Sequence, residues 1–343
     1  MAKVTVLRRE EIASKTGLDR YADNVEACLR NTISEYNEIS FNISNHRGLG
    51  YLFVNGFLRP LFSCLKIRSE DVTVHATDEL CGVFFPWTRG KKILTVHHVI
   101  GKGEYGGRLY YHVWNSVTKV AIRNSDVVIA ASFPTRDAVI DHFGVDENKV
   151  VVMTSPLDPQ YKVLESIKKE KMIGCVGTLI PRKNIVDSIT AFDKFVSMPG
   201  MGGYELHICG VGPEKDYLES VVEDLGLWNK VRFISGLSEE EIVQFYNRAA
   251  LIFNTSLHEG LGLVTPEAQI CGTPILHLEY ADIPEFVTEA SISCSDTDDM
   301  AEKAYRLMAD PDEYDAVVKS GFEHAKAFGE GFNTSLLKVY GLR

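Results

Sequence analysis

Short runs of β-branched and aliphatic residues alternate with amphipathic stretches of helical period along almost the whole chain, the pattern of a parallel α/β fold. In the first half the pattern predicts strands over 3–7, 38–43, 72–75, 92–96, 127–130 and 149–153. In the second half it predicts them over 172–177, 204–210, 231–234, 250–254, 274–278 and 290–293. Helices are predicted over 20–31, 184–195, 214–225, 239–248 and 298–308. Residues 155–171, "SPLDPQYKVLESIKKEK", interrupt the alternation with two prolines and a charge run, so a domain linker is expected there. The expected architecture is two Rossmann-like, doubly wound α/β domains facing across a cleft. Ligands of such folds bind at the carboxyl ends of the strands, where helix N-termini offer unbonded amides.

Composition agrees with two ordinary globular domains: 343 residues, 45% hydrophobic and 24% charged. A net charge of −11 argues against nucleic acid as a partner. The charge is uneven. Residues 1–160 hold 19 Lys+Arg against 18 Asp+Glu, whereas 161–343 hold 17 against 29. Seven scattered cysteines show no CxxC spacing, which predicts buried free thiols rather than a zinc knuckle or a disulfide framework. The opening "MAKVTVLRREE" lacks the apolar core of a secretory leader. The most apolar stretch, 48–65, is broken by Asn55, Arg59 and Pro60 and is not read as a membrane span. A reducing cytoplasmic location is the expectation.

Candidate chemistry sits on the predicted strand-to-helix turns. Gly17, in "SKTGLDRYADNV", precedes an amphipathic helix, and reads either as a close approach to a phosphate or sugar or as a simple flexible turn. In "VGTLIPRKNIVDSITAF", Arg182 and Lys183 place two cations between a buried strand and a helix, an arrangement suited to a diphosphate. Gly210 and Gly212, in "HICGVGPEKDYL", allow close backbone approach to a ligand. In "NTSLHEGLGLVTPEAQICGTPIL", Glu259 stands in a turn with Gly260, Leu261, Gly262 and Leu263, and Glu267 follows on a short helix. His97, in "ILTVHHVIG", lies at a strand end and reads equally as a cleft residue or a structural histidine. Asp296 and Asp298 form a DxD that resembles a metal–diphosphate chelator, yet a helix follows at once, which makes them a cap and first turn.

Taken in order, these segments resemble glycosyltransferase family 4, a branch of the GT-B fold. The resemblance covers most of the chain: "TGLDRY", "TVHH", "SDVVIAASFPTRDAVIDHFGVDENKVVVM", "VGTLIPRKN", "HICGVGPE", "VRFISGLSEEEIVQFYNRAALIFNTSLHEGLGLVTPEAQICGTPIL" and "ADIPEF". Its most specific part is the EGxGLxxxE pattern with its trailing CGTP. The resemblance implies a retaining hexosyltransferase that moves a sugar from a nucleotide-diphosphate sugar, with no cofactor and no essential metal. It implies that Glu259 and Gly260 meet the donor sugar and Glu267 the ribose. Arg182, Lys183, Gly17 and the backbone at Leu261, Gly262 and Leu263 would serve the diphosphate, and His97 would lie against the transferred sugar. Residues 1–158 would form the acceptor side, joined by a returning C-terminal helix over about 326–343, and 159–325 the donor-binding domain.

Three departures stand out. Thr178 replaces an arginine that many relatives carry after the strand glycine, "SPLD" replaces the usual "PNGVD", and "NTS" replaces the usual "PS". The "GTLxPRKN" wording recurs among relatives that use mannose donors, so GDP-mannose stands beside UDP-sugars as the expected donor. A glycan or a lipid-linked molecule is the expected acceptor. For the latter, the aromatic and basic segment 51–68 reads either as core or as a peripheral contact with the inner face of the cell membrane. The alternatives are a non-catalytic nucleotide-sugar-binding subunit of the same fold and a nucleotide-sugar epimerase of similar shape.

Overall fold

The computed structural model describes residues 3–10, 17–33, 36–42, 54–67, 70–101 and 108–342. The chain forms two compact units, Met1–Pro156 with Gly329–Arg343, and Leu157–Phe328. In the first, strands β1 (Lys3–Glu10), β2 (Tyr36–Asn42), β3 (Val72–Ala76), β4 (Lys91–Val96), β5 (Val127–Ala130) and β6 (Val150–Val152) form one sheet. Their order is β2-β1-β3-β4-β5-β6, and every pairing is parallel. In the second unit, β7 (Met172–Val176), β8 (Glu205–Cys209), β9 (Val231–Ile234), β10 (Leu251–Asn254), β11 (Ile275–Leu278) and β12 (Ile292–Cys294) run in the order β12-β11-β10-β7-β8-β9, again all parallel.

All twelve strands lie where hydrophobic patterning predicts them, with ends shifted by at most a few residues. Strands covered by helices on both faces must be apolar on both, so they appear in the sequence as unbroken aliphatic runs. Ile173, Leu206, Leu251, Phe253 and Leu276 pack with Ile189, Phe192, Phe195 and Met300 in the largest core of the second unit. All seven cysteines are buried free thiols.

The strand order decides where ligands can dock. In the second unit the chain winds outward from β7 through β8 to β9, then returns to the other side of β7 at β10. This reversal sets the turns that follow β7 and β10 side by side at the carboxyl edge of the sheet, where open α/β sheets bind their ligands. In the first unit the equivalent reversal lies between β1 and β3.

The C-terminal helix Phe332–Tyr340 belongs to the first unit. Phe332, Leu336 and Tyr340 pack with Val4, Val6, Tyr21 and Leu29. A buried polar chain pins its end: Tyr340 Oη meets His75 Nδ1 at 2.6 Å, His75 Nε2 meets Thr95 Oγ1 at 2.9 Å, and Tyr21 Oη meets the same Oγ1 at 2.8 Å. Burial drives the His75 pKa down to about 3, so the imidazole is neutral.

Candidate functional site

In the second unit the turn after β7 carries one 3-10 turn, Pro181–Lys183, followed by Asn184 at φ 48° and the helix Ile185–Val196. Asn184 is the only described non-glycine residue with positive φ, and its amide side chain bonds Asp187 Oδ2 at 2.6 Å. The segment after β10 is stitched onto this turn. The Leu257 amide donates to the Arg182 carbonyl at 2.9 Å, and the Thr255 hydroxyl donates to the Asn184 carbonyl at 2.8 Å. Thr255 also shares a hydrogen bond with Ser188 at 2.8 Å. The "NTS" departure therefore has a physical role: Thr255 and Ser256 are buried hydroxyls at the seam between the two turns. A second seam joins the same segment to the turn after β11. Glu259 donates its amide to the Asp282 carbonyl at 2.9 Å, Asp282 donates to the Leu257 carbonyl at 2.8 Å, and His258 Nδ1 meets Asp282 Oδ2 at 2.5 Å.

These seams bring Arg182, Lys183 and Glu259 together. Lys183 Nζ pairs with Glu259 Oε1, and Arg182 Nη1 lies 3.1 Å from Glu259 Oε2 while also donating to the His258 carbonyl. Glu259 is 9% exposed. Burial alone would push its carboxyl up, but Lys183 and Arg182, with the Ser256 hydroxyl, outweigh burial and hold it below the ordinary range. Two cations around one carboxylate leave an excess positive charge at the crevice.

Gly262 adopts φ +75°, which only glycine takes without strain. Leu261 and Leu263 pack against Ile283, Val287 and Phe328, while the amides of Leu261, Gly262 and Leu263 donate to no acceptor within the described residues. Such amides suit a phosphate oxygen. Glu267, on the helix Val264–Ile270, is buried and accepts a hydrogen bond from the Tyr246 hydroxyl at 3.1 Å. Its hydrogen-bond partner Tyr246 stands outside the trio of Arg182, Lys183 and Glu259. Gly210 and Gly212 have a packing role within the chain itself. A Cβ on either would collide with the chain's own backbone, at Gly177 and Leu179 respectively. The second unit's sheet edge thus needs both glycines for its own packing.

The first unit holds the remaining candidates. Gly17 opens the helix Gly17–Thr32, three residues before the predicted start, and is exposed; residues 11–16 lie outside the described set. His97 follows β4. Its Nε2 lies 2.8 Å from the Thr77 carbonyl, an acceptor only, so Nε2 carries the proton. Burial lowers its pKa and keeps the ring neutral, edge-on to Tyr21 at 4.8 Å. Sequence reasoning missed the groups beside it. Glu79, buried, accepts the His97 amide at 3.2 Å, and burial with the neighbouring Asp78 pushes its carboxyl up to about 7. Asp78 pairs with Arg9 Nε at 2.6 Å. The signal was present as "TDEL" directly after a strand. Of the DxD pair, Asp296 caps the helix Thr297–Ala309 by accepting the Asp299 amide at 2.9 Å, and Asp298 meets Lys194 at 2.8 Å. Among the described residues, no three His, Cys, Asp or Glu gather as a metal site.

Comparison with known proteins gives this geometry a family. The model of glycosyl transferases group 1 matches residues 158–324, and that of Glycosyltransferase Family 4 matches residues 40–161. The chain belongs to glycosyltransferase family 4. Curated relatives include a D-inositol 3-phosphate glycosyltransferase of Corynebacterium urealyticum, 28% identical over 185 residues, which are 50% of this chain and 42% of that protein. Another is an O-antigen chain mannosyltransferase of Salmonella typhimurium, 26% identical over 168 residues, 49% of this chain and 45% of that protein. The matches thus span less than half the length of these relatives. Among solved structures, sucrose-phosphate synthase from Thermosynechococcus elongatus superposes with a TM-score of 0.78 at 16% identity, over 99% of this chain and 98% of that one. Anabaena Alr3699/HepE in complex with UDP gives 0.74 at 17%, over 99% and 100%. The fold is GT-B.

Proposed function

We propose that this glycosyltransferase moves a hexose from a nucleotide-diphosphate sugar, GDP-mannose or a UDP-sugar, to a glycan or lipid-linked acceptor with retention at the anomeric carbon. The observation that carries this reading is the cluster of Arg182, Lys183 and Glu259 at the crevice between β7 and β10. As the glycosidic bond breaks, negative charge grows on the departing diphosphate and positive charge on the anomeric carbon. Prearranged cations and unbonded amides stabilise the first without reorganising, and a carboxylate held ionised suits the second. Lys183 and Arg182 take the diphosphate, with the backbone at Leu261, Gly262 and Leu263. Glu259 and the Gly260 backbone meet the donor sugar, and Glu267 meets the ribose. These cations do the work a metal ion would do, so the reaction requires neither metal nor cofactor.

On this reading Leu157–Phe328 is the donor unit, and the first unit holds the acceptor, with His97 against the transferred sugar and Gly17 near the phosphates. A mannosyltransferase among the relatives supports GDP-mannose, and a structural neighbour in complex with UDP supports a UDP-sugar. A thermal-shift screen of nucleotide sugars, followed by incubation of the stabilising donor alone and with candidate acceptors, tests the proposal. The expected result is slow release of nucleoside diphosphate alone and faster release with glycosylated product when acceptor is present. Interconversion of the donor's sugar without acceptor would establish an epimerase, and binding without turnover a non-catalytic subunit.

A further inference from the structure

Tyr246 lies on the helix Glu239–Arg248 and is wholly buried, in a core with Val243, Phe245, Ile252, Ala268 and Cys271. A residue that only filled this core would serve as well as phenylalanine, since a buried hydroxyl adds a desolvation cost unless it finds a partner. Here the partner is Glu267, whose Oε2 accepts the tyrosine proton at 3.1 Å. The main chain of Tyr246 is anchored as well: its carbonyl accepts the Thr273 hydroxyl at 2.6 Å and the Lys169 ammonium at 3.3 Å. The hydroxyl is thus aimed from a residue fixed at both ends.

We propose that Tyr246 is the positioning residue for Glu267, holding one carboxylate oxygen so that the group meets the ribose hydroxyls of a nucleoside diphosphate in a single orientation. The inference rests on reading Glu267 as the ribose carboxylate. The terminal torsion of glutamate is broad, so an unrestrained carboxylate samples many orientations and must be ordered when ligand arrives. By holding Oε2, Tyr246 removes part of that ordering cost before binding. It therefore contributes to the preference for ribose over 2′-deoxyribose without touching the nucleotide, because a site built around a ligand hydroxyl rejects the analogue that lacks it.

Calorimetric titration of the full chain with GDP, UDP and their 2′-deoxy counterparts tests this on wild type, Tyr246→Phe and Glu267→Gln. Wild type is expected to prefer the ribonucleotide by about tenfold or more. Glu267→Gln abolishes the preference. Tyr246→Phe weakens the ribonucleotide about five- to tenfold and shifts the deoxynucleotide by less than about twofold, so the deoxy arm also reports intact folding. If Tyr246→Phe keeps the full preference, or weakens both nucleotides equally, Tyr246 is structural and the proposal fails alone. If Glu267→Gln keeps the preference, or wild type has none, the ribose reading fails and the proposal falls with it.

Discussion

Glu259 serves two cations at once, and this sets what each substitution at the cluster should do. Lys183→Ala removes the nearer charge from a carboxylate that is mostly buried, so it should lower both unfolding free energy, by about 1–3 kcal/mol, and diphosphate affinity, about tenfold or more. Glu259→Gln should act oppositely on binding. With one negative charge gone from beside Arg182 and Lys183, a free nucleoside diphosphate should bind more tightly while sugar transfer falls by orders of magnitude. Combining the two changes should recover most of the stability that Lys183→Ala loses, since the lone carboxylate is gone. Calorimetry with nucleoside diphosphate, together with denaturant unfolding of all three variants, checks the set. Weaker diphosphate binding by Glu259→Gln would show that the carboxylate does not compete for these cations.

At the scale of elements, the C-terminal helix depends on one buried imidazole. His75 bonds Tyr340 on that helix and Thr95 on β4, with nothing exposed. Its pKa is lowered in the fold, so the neutral form contributes stability that is fully present above the unfolded value near 6.5 and is lost as pH falls toward about 3. The loss should approach about 1.4 kcal/mol per pH unit below 6.5. Denaturant midpoints measured between pH 7 and 5 should show this slope in wild type and a flatter one in His75→Gln. Tyr340→Phe leaves the imidazole without one partner and should cost about 1–3 kcal/mol at pH 7. Equal pH slopes for wild type and His75→Gln would remove His75 from this role.

For the molecule as a whole, the distribution of charge and apolar surface frames the remaining expectations. Transfer should survive excess chelator, while Asp296→Ala should lower stability by about 1 kcal/mol through loss of the helix cap and leave the rate near wild type. Loss of activity on chelation that Mn²⁺ restores would overturn metal independence. On the first unit, Val54, Phe57, Phe62 and Leu65 are exposed beside Arg59 and Lys66, while Pro60 and Cys64 are buried. The segment is thus core on one side and apolar surface on the other; residues 48–53 lie outside the described set. No described helix is long and apolar enough to cross a membrane. Peripheral contact with an anionic bilayer predicts flotation with anionic liposomes, weakened by salt and by Phe57→Ser with Phe62→Ser. Wild type that never floats would leave a soluble glycan as the acceptor.

Local pattern determined the twelve strands, the α/β class and the turns that bear the site, because parallel strands buried on both faces must be continuously apolar and helices must show their own period. It also exposed the residues that matched the family, since Arg182, Lys183, Glu259 and Glu267 stand in short contiguous motifs. Which of them touch was another matter. Lys183 and Glu259 are 76 residues apart, His75 and Tyr340 are 265 apart, and nothing in the local period records either meeting. The order of strands decided them: the reversal between β7 and β10 joins the two charged turns, and the return of the last helix to the first sheet supplies Tyr340. The packing need at Gly210 and Gly212 was hidden for the same reason, since the backbone they accommodate belongs to a neighbouring turn of this chain. Tyr246 was invisible as a site residue because a buried tyrosine and a buried phenylalanine leave the same hydrophobic pattern. Only packing brings its hydroxyl to Glu267.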